Sequence, residues 1–486
     1  MLRVEPERHK PSSKNGVGGR ERIKRGAIVW GLRTWYPTSP TMRRHETSPH
    51  ALGPARIVRF WLPLEATWLM MAAEGPFLAA VIARLPAPKE NLAAFAVASA
   101  LAWIVESPII MMLSASNALV RDGVAYRKLR RFSFALNAAV TVVMIALITP
   151  PVFDLVARRI IGLSPDVAGL AGRSMIFLVL WPAAIGFRRF YQGILIRDGR
   201  PQAVTWGTVI RLTSMAATGI LAALVFRLPG ASVGAAALGV GVLAEGAASW
   251  VMARPTIRDL RGMTDEQCAF GRSLTTAKVV HFYAPLALTS FLSFFINPLT
   301  TFFLAHGRSP LESLAILPVV VGLAFVFRTA GIALQEVVIA LVGDAGENRR
   351  VLARFTLWIG AVSTAALAAV VFTPLAPVWY KTISGLAPEL AAFALLPGGL
   401  LVLLPFLESV LSYQRGVFVK AHRTAPIGVA VAAQLAVTAA VFTLMVMGLK
   451  SIGAVVIGPA LTAGYIAGTA VLFLARNAGS RPGRPA

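Results

Sequence analysis

Phe60-Trp61-Leu62-Pro63-Leu64 opens one long apolar half of the chain, and Phe282-Tyr283-Ala284-Pro285-Leu286 opens a second, 222 residues further on. The register holds beyond this pair. Gly75-Pro76 falls on Asn297-Pro298, and Leu92-Ala93-Ala94-Phe95 on Leu314-Ala315-Ile316-Leu317. Thr149-Pro150 matches Thr373-Pro374, Gly162-Leu163-Ser164-Pro165 matches Gly385-Leu386-Ala387-Pro388, and Gly193 matches Gly416. Ser232-Val233-Gly234-Ala235 aligns with Ser451-Ile452-Gly453-Ala454, at a slightly shorter offset. A near-constant offset over a whole half means internal duplication. Duplicated apolar halves are expected of secondary transporters, whose two bundles rock about a central site.

Composition agrees. The 486 residues are 56% hydrophobic and 14% charged, with a mean hydropathy of +0.68. Soluble domains carry about 25% charge. Apolar runs of roughly 20 residues recur, each long enough to cross a bilayer as a helix. Backbone polar groups in lipid must be bonded within their own segment, so the expected fold is all-α. The short alternating strands of a membrane barrel are not seen.

The pattern predicts six spans in each half, about 60–84, 91–116, 131–153, 169–192, 203–226 and 231–253, then 279–305, 311–341, 352–376, 389–414, 425–448 and 451–475. Six is even, so both halves enter the membrane from the same side as parallel repeats. The expected organisation is a basic, disordered N-terminal tail (1–55), a first bundle (56–253), a polar linker (254–278), a second bundle (279–475) and a short C-terminal tail (476–486). The tail is rich in Pro, Ser and Gly, and its apolar stretch Ala27 to Leu32 is too short for a signal-peptide core.

The net charge of +25 suggests nucleic-acid binding at first sight. In a membrane chain it is better read as basic loops on the cytoplasmic side. Loops after the even-numbered spans hold Arg121, Arg127, Lys128, Arg130, Arg131, Arg197, Arg200, Arg254, Arg258, Arg261, Arg272, Arg349, Arg350, Lys420 and Arg423. The opposite loops hold fewer, among them Arg84, Lys89, Arg158, Arg159, Arg227, Arg308, Lys381 and Lys450. A multi-pass protein of the cell membrane with both termini cytoplasmic is therefore expected. Cys268 is the only cysteine, which excludes an intramolecular disulfide and a cysteine metal cluster. There is no phosphate-binding G-x-x-x-x-G-K-[ST] loop, no His/Glu motif of a metalloprotease and no TVGYG-like filter. The expectation is a non-enzyme with no catalytic residues, metal or cofactor, acting as a monomer on a small organic substrate in the bilayer.

Ionisable residues within spans are costly and mark function. Glu74 sits mid-span beside Gly75-Pro76, where proline breaks the helix and frees a carbonyl. Such a site could hold H⁺ or Na⁺ as the coupling ion. Its counterpart in the second half is the Asn297-Pro298 break. Paired breaks in corresponding helices point to a transporter's binding site. Glu106 precedes Ser107-Pro108, and 222 residues on stands Arg328. At equivalent depth, the two could pair across a central cleft. Gln335 and Glu336 follow Arg328 along nearly the same helical face. Glu245 and Glu408 complete the candidates. Glu65 reads as a headgroup-facing residue or a partner of Arg59. Arg211, replaced by Gln434 in the second half, and Arg188-Arg189 read as snorkelling residues and carry least weight.

Two parallel six-helix halves fit two superfamilies. The major facilitator superfamily is the poorer fit, because Asn117-Ala118-Leu119-Val120-Arg121-Asp122-Gly123-Val124 does not match its Gly-x-x-x-Asp-Arg-type loop. The aromatic-x-x-Pro-Leu elements at Phe60–Leu64 and Phe282–Leu286 resemble those of the multidrug/oligosaccharidyl-lipid/polysaccharide exporter (MOP) superfamily, which includes the multidrug and toxic compound extrusion (MATE) family. The stretches Phe282–Leu288, Asn297-Pro298-Leu299, Phe303-Leu304-Ala305 and Leu92–Ala98 are similar to the progressive ankylosis transporter family. The resemblance covers roughly residues 56–475. It implies a twelve-helix V-shaped exporter with a central cavity, driven by H⁺ or Na⁺. Glu74 only loosely matches the acidic residue that extrusion-family members place in span 1. The alternative is a flippase for a lipid-linked saccharide, or a major facilitator-type transporter.

Overall fold

The computed structural model describes residues 52–343, 346–421, 423 and 425–478. The expected disordered tail lies outside them, apart from its last four residues. The described chain is helical almost throughout. Among the described residues, nine helices are long and apolar enough to cross a membrane, or eleven when each of two bent pairs counts as one span. Segment 88–119 takes the remaining place. It is split into Pro88–Glu106 and Met112–Leu119 by a break at Ser107-Pro108, and it carries Lys89, Glu90 and Glu106.

In the first half the spans are Pro54–Ala83 (span 1), segment 88–119 (span 2), Gly123–Ile148 (span 3), Pro165–Ile176 with Trp181–Arg197 (span 4), Pro201–Leu224 (span 5) and Gly230–Arg261 (span 6). In the second they are Thr276–His306 (span 7), Pro310–Leu341 (span 8), Arg349–Phe372 (span 9), Pro388–Gly399 with Leu404–Lys420 (span 10), Ala425–Gly448 (span 11) and Gly453–Asn477 (span 12). Spans 1, 2, 4, 5, 8 and 10 begin with proline in the first turn, where its fixed φ suits a helix and its missing N–H costs nothing. Span 6 runs past the expected end at 253 to Arg261, because Pro255 is accommodated inside the helix.

The duplication is visible in the backbone itself. Ala87 and Ser309 have left-handed φ of 51° and 52°, Arg227 and Lys450 both 49°, and Gly162 and Gly385 79° and 71°. Such values are uncommon outside glycine, yet here each recurs at its repeat position. Spans 4 and 10 bend by 41° and 43° at corresponding breaks. Wide helical turns at Leu155–Ile160 and Val378–Ile383 also correspond. The amide of Ala231 donates to Asn91 Oδ1 (2.9 Å), and that of Ala454 to Ser313 Oγ (3.0 Å). This last pair corrects the alignment of Ser232 with Ser451. The true partner of Gly230-Ala231 is Gly453-Ala454, where both helices start, and the SVGA/SIGA likeness is a four-residue slip between two glycine-rich starts.

Gly193 and Gly416 are equivalent for a packing reason. A Cβ at Gly193 would lie 2.5 Å from the Leu113 carbonyl oxygen, and one at Gly416 2.9 Å from that of Gln335. Each glycine lets span 4 or 10 approach span 2 or 8 to backbone contact.

We call the end carrying residues 262–275 the basic end. At the far end one buried cluster joins the halves, including Leu78, Ile82 and Leu92 with Leu314, Ile316 and Val320. Arg84 there donates to the carbonyls of Thr382 (2.6 Å) and Ile383 (3.0 Å). At the basic end the core divides into two separate clusters. One joins Tyr126, Phe190 and Tyr191 to Val279 and Tyr283 of span 7. The other joins Leu334, Val337 and Phe355 to Ile57 of span 1. The first helix of each half thus packs, at this end, on the other half. The linker docks on the first half: Asp122 caps span 3 through the amides of Val124 (2.9 Å) and Ala125 (2.8 Å) and accepts from Gly271 N (2.6 Å).

Candidate functional site

Two buried polar networks occupy the membrane-spanning interior, one inside each bundle. In the first half, span 1 breaks at Ala73, and Glu74 begins its second segment. Its carboxylate forms an ion pair with Arg211 of span 5. Arg211 also reaches Glu245 of span 6 (3.3 Å). Glu245 pairs with Arg188 of span 4 and accepts from Gln192 Nε2 (2.9 Å). Arg188 and Gln192 share a helical face by their i, i+4 spacing. Gly207 of span 5 makes room for Glu245, since a Cβ there would meet its Cγ at 3.3 Å.

Glu106 of span 2 is 4% exposed and lies in the field of Arg188, Arg189 and Arg211, but its Oε2 has no hydrogen-bond partner. The Nε atoms of Arg188 and Arg189 and Oε1 of Gln192 are also buried without a hydrogen-bond partner, and Arg211 Nε meets Glu245 as an ion pair without a hydrogen bond. This network is close-packed in charge and incomplete in hydrogen bonds. Buried donors and acceptors left unmade are costly.

The second network is the opposite. Arg328 of span 8 donates to Glu408 of span 10 (Nη2 2.6 Å, Nε 3.2 Å) and to the Tyr465 hydroxyl of span 12. Tyr465 donates in turn to Glu408 (2.8 Å), and Ser412 donates to the other carboxylate oxygen at 3.4 Å. This is a tight, mutually satisfied cluster.

The expected Glu106–Arg328 pair is therefore not formed. The two hold equivalent positions, but each faces into its own bundle and finds its counter-charges there. Glu65 does not pair with Arg59: it accepts from Thr329 Oγ1 of span 8 (2.8 Å), across the boundary between halves. Pro76 packs beside Gly322 of span 8. Asn297 caps the break of span 7 by donating to the Phe294 carbonyl (3.1 Å), and Pro298 lies in the turn that follows. Gln335 offers its backbone against Gly416, and Glu336 is exposed. Arg188 and Arg211, read as snorkelling, are in fact buried at the heart of the first network, while Arg189 is half-buried beside it. Their signal was the i, i+4 pair Arg188/Gln192; Tyr465 offered none.

No protein-family model matches the sequence, and no curated protein does. Solved structures do. An inward-facing MATE family multidrug resistance transporter of the MOP superfamily matches with a TM-score of 0.64 at 13% identity, over 87% of this chain and 100% of that one. The chain has the fold of the MOP-superfamily transporters. A lipid II flippase, MurJ, in an inward closed conformation matches at a TM-score of 0.63 and 10% identity, over 86% of this chain and 87% of that one. An outward-facing MATE family transporter matches at 0.54 and 16% identity, over 87% and 94%. Both networks here sit inside the two bundles, and spans 1, 2, 7 and 8 carry most of the links between the halves, with Arg84 and Lys89 reaching Thr382, Ile383 and Glu389 at the far end.

Proposed function

We propose that the protein is an ion-coupled secondary transporter that exports a small organic molecule by alternating access of its two bundles. The basic end is cytoplasmic, as positively charged loops are retained there. The structure's joined far end and divided basic end fit a state open to the cytoplasm, in keeping with the higher TM-score to the inward-facing neighbour.

The observation that carries this reading is the shared position of Arg211 between Glu74 and Glu245. Span 1 is held to the first bundle by Glu74–Arg211 and to the second by Glu65–Thr329. A cation that neutralises Glu74 removes the attraction to Arg211, which then turns wholly to Glu245. Span 1 is thereby released from the first bundle. An ion can shift a two-state equilibrium only through different affinity for the two states, and this exchange of partners supplies that difference. The coupling ion is H⁺ or Na⁺.

The test is transport in proteoliposomes across organic anions, cationic dyes and lipid-linked saccharides, with imposed H⁺ or Na⁺ gradients. Gradient-driven movement of a small organic molecule is the expected result. Movement of a lipid-linked saccharide alone would make the protein a flippase instead.

A further inference from the structure

At the basic end of the second half, the start of span 9 and the ends of spans 10 and 12 enclose a recess of about 470 Å³. Three guanidinium groups line it, from Arg349, Arg423 and Arg476, together with Phe418, Phe473 and Asn477. None of its lining residues is acidic. Arg423 lies over the Phe418 ring at 5.6 Å, and the Arg349 carbonyl accepts from Tyr413 (3.1 Å), which fixes two walls. Beside the recess, span 12 presents Phe473, Leu474 and Ile466, 54%, 66% and 54% exposed.

The repeat supplies an internal comparison. Ala421 lines this recess, and its equivalent in the first half, by the register of Gly193 and Gly416, is Asp198. Asp198 accepts from Thr256 Oγ1 (2.6 Å), and nearby Arg200 donates to the Met252 carbonyl (3.1 Å). The first half thus places a carboxylate, held by Thr256, two residues before its arginine. The second puts a methyl group there and gathers three arginines.

We propose that this recess binds the phosphate headgroup of an anionic phospholipid from the leaflet at the basic end, with the acyl chains lying along the exposed face of span 12. Arginine suits the task because its planar fork matches phosphate oxygens. The apolar neighbours are what separate a lipid from a free anion.

The test uses the full chain, purified in detergent and stripped of lipid, with binding followed by native mass spectrometry and by thermal protection. Phosphatidylglycerol should bind and protect, while phosphatidylcholine and millimolar inorganic phosphate should not. Arg349→Gln/Arg423→Gln/Arg476→Gln should weaken phosphatidylglycerol binding roughly a hundredfold, as expected for three juxtamembrane arginines. Ala421→Asp, which transplants the first half's carboxylate and leaves the arginines intact, should weaken it too. Arg254→Gln, outside the recess, should not. Wild-type affinity in either recess variant, or equal protection by phosphatidylcholine, would overturn the proposal. Equal protection by inorganic phosphate would make the ligand a free anion and overturn it as well.

Discussion

The Tyr283 hydroxyl of span 7 donates to the carbonyl of Pro108 in span 2 at 2.7 Å. Its repeat counterpart is also present: Trp61 Nε1 of span 1 donates to the Ala330 carbonyl of span 8 at 3.0 Å. Donors and acceptors are each 222 residues apart. The aromatic that opens each half therefore clasps the other half's second span. The Pro108 carbonyl is available because the helix breaks there and the Met112 amide donates to the Ile109 carbonyl instead (3.0 Å).

These clasps should be separable and similar. Tyr283→Phe and Trp61→Phe each remove one hydrogen bond and should each cost about 1 kcal/mol. Their partners are distinct, so the double variant should show the sum within about 0.5 kcal/mol. Equilibrium unfolding in mixed micelles measures this. A neutral Tyr283→Phe beside a costly Trp61→Phe would deny the equivalence.

The second-half cluster should be the more brittle. Glu408→Gln leaves Arg328 buried beside a neutral group and should cost about 3–5 kcal/mol. Exchanging the charges of Glu106 and Arg328 should rescue nothing, since each would face like charges in its own bundle. Recovery of stability in the exchanged variant would mean that the two pair after all.

Within the first half, Glu245→Gln and Glu106→Gln should differ. Glu245 is bound by Arg188, Arg211 and Gln192, and its loss should destabilise by about 3 kcal/mol or more. Glu106 carries an unpartnered oxygen, so its amide should be tolerated within about 1 kcal/mol. The same unfolding measurement decides, and equal losses would contradict the geometry.

The fold was largely legible because duplication and hydropathy act over long stretches. The Phe60 and Phe282 elements set the repeat, and the proline breaks at Pro76, Pro108 and Pro298 mark real interruptions. The slip at Ser232 arose because two glycine-rich starts look alike at two registers. The site was less legible. Sequence gives depth along a span but not which way a side chain turns, so Glu106 and Arg328 looked like partners. Arg188 and Arg211 looked like snorkelling residues because a lone arginine in a span carries no sign of the carboxylates waiting on other helices.

Topology can be checked directly. In a background lacking Cys268, a cysteine at position 197 should be labelled only from the cytoplasm and one at 381 only from outside. The reverse pattern, or labelling of both from one face, would refute the orientation.

Glu74 is proposed to carry the coupling ion. Glu74→Gln cannot hold a proton or pair as an ion with Arg211, so span 1 loses the ion-dependent change of partner. In proteoliposomes with an imposed H⁺ or Na⁺ gradient, this variant should bind substrate nearly as wild type does and equilibrate it without concentrating it. If Glu74→Gln still drives substrate uphill as steeply as wild type, coupling does not reside at Glu74.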